Sequence, residues 1–116
     1  MFTTITRDAL KAKLDAGEPV TIVEALPEKY YRHSHLPGAI NIPHDQIDTL
    51  APALLPDKDA LIVTYCANLP CPNSEIAARR LGDLGYRNVA EYREGKADWI
   101  EAELPVEGEA RALRAA

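Results

Sequence analysis

Residues 61–81 read LIVTYCANLPCPNSEIAARRL, and this stretch decides the fold. The opening run LIVTYC is apolar and contains β-branched residues, which predicts a buried strand. A loop with proline and asparagine follows, and SEIAARRL then has apolar residues at helical spacing, so we predict a helix that begins at Ser74. Cys66 is therefore expected at the end of a strand, beneath a loop that leads into a helix.

Cys66 is the candidate reactive residue of the chain. Backbone N–H groups and the helix dipole favour negative charge at a helix N-terminus. The thiolate is the nucleophilic form of cysteine, so we expect Cys66 to be poised as an anion and to carry sulfur or redox chemistry. The alternative is a buried structural cysteine, because free cysteine is among the most buried residue types.

Strands and helices alternate along the rest of the sequence. Strands are predicted at 2–5, 20–26, 39–42, 61–66 and 88–93, and helices at 7–17, 27–34, 44–55, 74–86 and 95–105. The helix 44–55 has Ile47, Leu50 and Leu54 on its apolar face. This alternation predicts an α/β fold with a central parallel sheet of about five strands and helices on both faces. Ligands of such folds bind beyond the carboxyl ends of the strands, where Cys66 falls.

Composition sets the class of protein. The 116 residues carry a formal net charge of −5, which argues against nucleic acid or an anionic membrane surface as a partner. No stretch approaches the roughly 20 apolar residues of a membrane span, and no signal peptide is visible, so we expect a cytoplasmic protein. We expect one domain over residues 1–107 and a C-terminal tail or helix over 108–116.

The two cysteines, Cys66 and Cys71, lie on one loop, a spacing that suggests reactivity more than a secreted disulfide scaffold. Zinc would take about four ligands. The three histidines, His33, His35 and His44, lie in another segment without ligand spacing, so no metal site is predicted.

Four pieces of sequence then occur in a recognisable order. They are HLPGAINIP (35–43), TYC (64–66), SEIAARRLGDLGYRNV (74–89) and REGKADWIEAELPV (93–106). Together they resemble the signatures of single-domain rhodanese-like, or sulfurtransferase, proteins, and the resemblance covers about residues 3–107.

The resemblance implies that Cys66 accepts a sulfane sulfur as a persulfide and passes it to a thiol acceptor. The donor would be a small sulfur compound or a persulfide-bearing protein, and neither a metal nor an organic cofactor is implied. The loop after Cys66 would supply the cradle for the anionic sulfur. Its residues are Ala67, Asn68, Leu69, Pro70, Cys71, Pro72, Asn73 and Ser74.

The chain departs from the family pattern in its charges. The loop holds neither Lys nor Arg, which leaves thiosulfate open as a donor, because a basic side chain would help to bind that dianion. Glu24 stands where the family usually has Asp, and Leu26 stands for an Arg. We interpret Glu24 and His35 as supports of the site, and Ser74 as the cap of its helix.

Two alternatives remain for the function. Cys71 is a candidate resolving thiol, so Cys66 and Cys71 could cycle between dithiol and disulfide. The domain could also be a non-catalytic binding module that keeps the fold without the activity.

Overall fold

The computed structural model describes residues 2–109 of the chain. This part contains five strands and five α-helices, joined by loops. The strands are β1 (Thr3–Thr4), β2 (Thr21–Glu24), β3 (Ile40–Asn41), β4 (Ile62–Tyr65) and β5 (Val89–Tyr92). The helices are α1 (Arg7–Asp15), α2 (Glu28–His33), α3 (Ile47–Leu54), α4 (Asn73–Asp83) and α5 (Gly95–Glu101), and a 3-10 turn, His44–Gln46, precedes α3.

The strands form one parallel sheet in the order β1-β5-β4-β2-β3. The central strand β4 is buried at every residue, because β2 and β5 flank it and helices cover both of its faces. Thr64 of β4 is in register with Val23 of β2 and with Glu91 of β5. The predicted parallel α/β fold is confirmed, and the strand that ends next to Cys66 is the middle one.

Two hydrophobic cores lie on opposite sides of the sheet. One contains the apolar residues of α3 and α4, among them Ala51 and Leu81. The other contains Leu10 of α1 and Trp99 of α5. The helices therefore cover both faces, and α4 and α5 approach the carboxyl end of β4 from opposite sides.

Two predicted helices differ from the observed ones. The predicted helix 44–55 divides into the 3-10 turn and α3, and Leu54 is 47% exposed instead of lying on the apolar face. The last helix, predicted over 95–105, ends at Glu101, where Glu103 then adopts a positive φ of 60°. The boundary at residue 107 stays a prediction, because most of the expected tail lies outside the described residues.

Within residues 2–109, no helix combines the length and the apolar character that crossing a lipid bilayer requires. The same part of the chain holds no cluster of three or more His, Cys, Asp or Glu residues that could hold a metal ion.

Candidate functional site

Cys66 follows β4 directly and is 0% exposed. Residues 67–72 form the loop from Cys66 to α4, which makes it one residue shorter than the predicted loop. Both Cys66 and Cys71 are free thiols. Cys66 thus lies at the carboxyl end of a strand, as the sequence predicts, and the structure shows in addition that it is sealed from solvent.

The start of α5 holds the backbone of this loop. The Lys96 N–H donates to the Cys66 carbonyl at 2.8 Å, and the Ala97 N–H donates to the Ala67 carbonyl at 2.8 Å. Gly95 has a φ of +71°, and a Cβ atom there would lie 2.5 Å from the Cys66 carbonyl oxygen. Only glycine fits this approach without displacing the loop, so α5 fixes the backbone from which the Cys66 thiol projects.

The Cys66 sulfur is within hydrogen-bond distance of two oxygen atoms. It lies 3.4 Å from the Cys71 carbonyl oxygen and 3.5 Å from the Ser74 hydroxyl oxygen, and its single thiol hydrogen can be donated to either one. The pKa of Cys66 is raised to about 11, mainly by burial and also by the Cys71 side chain, while the Ser74 hydroxyl and amide act in the opposite direction. The expectation of a resting thiolate is therefore wrong, because desolvation outweighs the help of one amide and one hydroxyl.

Ser74 does not cap its helix. The helix α4 begins one residue earlier than predicted, at Asn73, and its N-cap residue is Pro72, without a side-chain cap hydrogen bond. The Ser74 hydroxyl instead donates to a carboxylate oxygen of Glu91 at 2.7 Å. The Thr64 hydroxyl donates to the Ser74 carbonyl at 2.9 Å, which holds the first turn of α4 against β4.

Glu91 and Arg93 belong to the site and were missed by the sequence analysis. Glu91 lies in β5 and is 2% exposed, and the Arg93 guanidinium donates to its second oxygen at 3.3 Å. A signal was present, because Glu91 interrupts the apolar run of a predicted buried strand. Its partner could not be read from the sequence, since Ser74 lies 17 positions away.

The loop itself combines exposed and half-buried residues. Leu69 is 62% exposed, whereas Cys71 is half-buried and its N–H donates to the Asn68 carbonyl at 3.1 Å. A shallow groove of about 400 Å³ lies beside the loop. Its lining includes Leu69, Pro70, Cys71, Pro72, Glu91 and Arg93. Of the two backbone groups of Cys71, the carbonyl and not the amide is the one that contacts the sulfur of Cys66.

Glu24 is fully buried and lies in a second network. It accepts hydrogen bonds from the Tyr65 hydroxyl at 2.7 Å and from the Lys96 ammonium at 2.9 and 3.0 Å. Lys96 also donates to the Tyr30 carbonyl at 3.0 Å. Lys96 thus supplies the positive charge beside Glu24, and Glu24 anchors the same residue whose N–H holds the Cys66 carbonyl.

His35 contacts Tyr31 of α2 and Glu107, which follows α5. Its ring stacks on Tyr31, with 3.9 Å between the ring centroids, and its Nδ1 is 2.7 Å from the Tyr31 carbonyl. Its backbone pairs with Glu107 in an antiparallel bridge. These contacts tie α2 to the segment after α5, so they fit a supporting residue better than a reactive one.

Similar proteins have the same domain within longer chains. The HTH-type transcriptional regulator Rv0324 of Mycobacterium tuberculosis (strain ATCC 25618 / H37Rv) is 39% identical over 89% of this chain and 44% of that protein. YrkF of Bacillus subtilis (strain 168), a candidate sulfur carrier protein, is 27% identical over 82% of this chain and 49% of its own. This chain therefore spans about half the length of these curated relatives.

A solved structure is similar along almost the whole chain. The crystal structure of thiosulfate sulfurtransferase from Pseudomonas aeruginosa matches with a TM-score of 0.79 and 26% identity, over 92% of this chain and 20% of that one. The model of the Rhodanese-like domain family matches residues 6–102. The chain belongs to the rhodanese-like domain family, which links it to proteins of sulfur carriage and sulfur transfer.

Proposed function

We propose that the protein is a sulfurtransferase that carries sulfane sulfur as a persulfide on Cys66. The observation on which this rests is the position of the Cys66 thiol, at the end of the central strand and in contact with Ser74. Membership of a family with sulfur-carrier and sulfurtransferase relatives supports it. The cytoplasmic location expected from the sequence is part of the same proposal.

The proposed reaction has two halves. In the first, the Cys66 thiol loses its proton, and its sulfur attacks the outer sulfur of a persulfide donor. The S–S bond of the donor breaks, the donor leaves as a thiol with the proton, and Cys66 carries the new persulfide. In the second half, an acceptor thiol loses its proton and attacks the outer sulfur. The S–S bond to Cys66 breaks, the acceptor becomes the persulfide, and Cys66 takes up the proton and returns to a thiol.

The charges of the site favour one class of donor. Thiosulfate is a dianion, and at this site it would approach the buried carboxylate of Glu91 with Arg93 as the neighbouring cation. A neutral or singly charged persulfide meets less repulsion. We therefore propose a low-molecular-weight persulfide or a persulfide-bearing protein as donor, and a thiol as acceptor. Because Cys66 is fully buried, the reaction also requires the loop to move off the sulfur.

A second candidate function is thiol–disulfide exchange between Cys66 and Cys71. It is favoured by the proximity of the two residues, since the Cys66 sulfur lies 3.4 Å from the Cys71 carbonyl and the Cys71 side chain raises the pKa of Cys66. The resting thiol form of Cys66 is also compatible with a binding module that carries no sulfur.

Intact-mass analysis separates these functions. After treatment with glutathione persulfide, the wild-type protein and Cys71→Ser should gain about 32 Da, the mass of one sulfur atom, and Cys66→Ser should gain nothing. A wild-type loss of about 2 Da on oxidation, absent from Cys71→Ser, would instead support the disulfide. A protein that takes up sulfur without Cys66, or that takes up none from any donor, would contradict the proposed function.

A further inference from the structure

Three side chains from three elements form a line that ends at the Cys66 sulfur. The Cys66 thiol donates to the Ser74 hydroxyl at 3.5 Å, and that hydroxyl donates to the Glu91 carboxylate at 2.7 Å. All three residues are buried. The line joins the end of β4, the first turn of α4 and the middle of β5.

The direction of these hydrogen bonds is set by charge. The Ser74 hydroxyl has one hydrogen. It is donated to the Glu91 carboxylate, because a short hydrogen bond to a charged acceptor is stronger than one to the Cys66 sulfur. The Ser74 oxygen therefore presents a lone pair to the Cys66 thiol. Arg93 donates to the other oxygen of Glu91, so a positive charge lies beside this carboxylate.

Loss of the Cys66 proton to water would be costly at this site. It would leave a thiolate and a carboxylate buried together, with one serine hydroxyl between them. Transfer along the line avoids this cost. The site has one negative charge before the transfer, on Glu91, and one afterwards, on Cys66.

We propose that Ser74 and Glu91 form a proton relay that activates Cys66, an inference that rests on the proposed function. As the sulfur attacks the donor, the thiol proton moves to the Ser74 oxygen, and the Ser74 proton moves to Glu91. Ser74 keeps one hydrogen throughout and then donates to the sulfur, and the proton on Glu91 leaves with the departing donor thiol. Ser74 touches the reacting sulfur and is a catalytic residue, whereas Glu91 acts through it as a positioning residue and proton acceptor.

The other ionisable groups near the relay do not offer the same path. Cys71 presents its carbonyl to the sulfur, and its side chain raises the pKa of Cys66 and so opposes ionisation. Arg93 is held by Glu91. On α4, Glu75 is paired with Arg79. From α5, the Lys96 ammonium is bound to Glu24.

The test is the pH profile of Cys66 alkylation by iodoacetamide, followed by peptide mass mapping so that Cys71 is counted separately. In the wild-type protein the relay makes the rate constant nearly independent of pH between about pH 5 and about pH 8. In Glu91→Gln the relay has no acceptor. Its rate constant should rise tenfold per pH unit and should lie about 10- to 100-fold below wild type at pH 6.

Two further variants distinguish the relay from a structural role. Ser74→Thr keeps a hydroxyl and should keep the plateau, whereas Ser74→Ala should lose it. Glu75→Gln removes a neighbouring carboxylate that pairs with Arg79, and it should keep the plateau. Circular dichroism establishes that each variant is folded. Glutamine is the closest neutral replacement for Glu91, so Glu91→Gln is the variant least affected by misfolding.

Two outcomes would overturn the relay. If the wild-type rate also rises tenfold per pH unit and Glu91→Gln is faster at every pH, then Glu91 only opposes ionisation of Cys66. If Glu91→Gln keeps the wild-type plateau, then the carboxylate takes no part. Either result leaves the sulfur uptake of the wild-type protein unaffected. Absence of sulfur uptake, in turn, would overturn the proposed function without changing the alkylation profile.

Discussion

At the scale of single residues, the protein buries two carboxylates on either side of its central strand and uses them differently. Glu24 is bound by the Lys96 ammonium and by the Tyr65 hydroxyl, so its charge is balanced inside the fold. Glu91 is bound by the Ser74 hydroxyl and by Arg93, which is 53% exposed. The ion pair of Glu24 with Lys96 stabilises the fold. Glu91 instead binds Ser74, which is the residue in contact with the Cys66 sulfur.

Glu24→Gln should therefore destabilise the protein strongly. It leaves the Lys96 ammonium buried without its counter-charge, which we expect to cost about 3–5 kcal/mol of unfolding free energy, measured by urea denaturation. Asp48→Asn is the matched control, because Asp48 pairs with Arg80 at the exposed surface. Its loss should be much smaller and should shrink further with added salt. Equal losses from the two variants would contradict the structural role of Glu24.

The role of a residue could be predicted where the neighbouring sequence indicates it, and not where it depends on a partner far along the chain. Cys66 could be predicted from the sequence, because an apolar strand ends there and a helix pattern follows. The partners of Glu24 and Glu91 could not, because Lys96 lies 72 positions from Glu24 and Ser74 lies 17 from Glu91. The same limit explains the wrong expectation for the Cys66 pKa. The helix N-terminus is visible in the sequence, but the depth at which the sulfur is buried is not.

At the scale of elements, the beginning of α5 positions the loop that follows β4. Two N–H groups of α5 hold the carbonyls of Cys66 and Ala67, and Gly95 allows the two backbones to approach. The helix expected to matter most, α4, contributes Ser74 to the site and its apolar face to the core. The loop is therefore fixed by a helix that lies about thirty residues further along the chain.

Gly95→Ala should separate this close approach from ordinary backbone strain. Its control is Gly17→Ala, because Gly17 has a similar φ of +69° and no heavy atom within 4 Å of an added Cβ. We expect Gly17→Ala to cost about 1 kcal/mol in urea denaturation, from strain alone. Gly95→Ala should cost roughly 2–3 kcal/mol more, because the added methyl collides with the Cys66 carbonyl. It should also change the Cys66 alkylation rate, and an effect no larger than that of Gly17→Ala would contradict the positioning role of α5.

The elements themselves were predicted well where apolar periodicity was strong. The run LIVTYC contains β4, and the alternation of strands and helices indicates the parallel sheet. The segment 44–55 was harder, because its apolar spacing continues through residues that the structure divides between a 3-10 turn and α3. The spacing of apolar residues indicates which face of a helix is buried, but it does not indicate where a 3-10 helix changes to an α-helix.

At the scale of the whole molecule, several buried acids keep their protons in the folded protein. Burial raises the pKa of Cys66 to about 11, and it also raises the pKa values of Tyr65 and Tyr92 above their usual range. In the unfolded chain these groups return to ordinary values. The folded state therefore binds more protons than the unfolded state at alkaline pH, and stability must fall as pH rises.

The protein should thus lose stability between about pH 9 and pH 11. The Cys66 contribution is fully present below the ordinary thiol pKa and is lost as pH rises towards its folded value of about 11. Over that range it amounts to about 2 kcal/mol. Urea midpoints measured in steps from pH 7 to pH 11 should fall for the wild-type protein and fall less steeply for Cys66→Ala. Identical slopes for the two proteins would show that Cys66 ionises in the folded state as easily as in the unfolded one.

The strand order of the sheet has a consequence for folding of the chain during its synthesis on the ribosome. β1 pairs with β5, so among the strands of residues 2–109 the one synthesised earliest has the latest one as its hydrogen-bond partner. Residues 3–4 must wait until residues 90–91 have emerged from the exit tunnel. The edge strand β1 therefore joins the sheet only after β5 has been synthesised. A nascent chain halted before β5 would expose one edge of β4, and the site around Cys66 would lack Glu91.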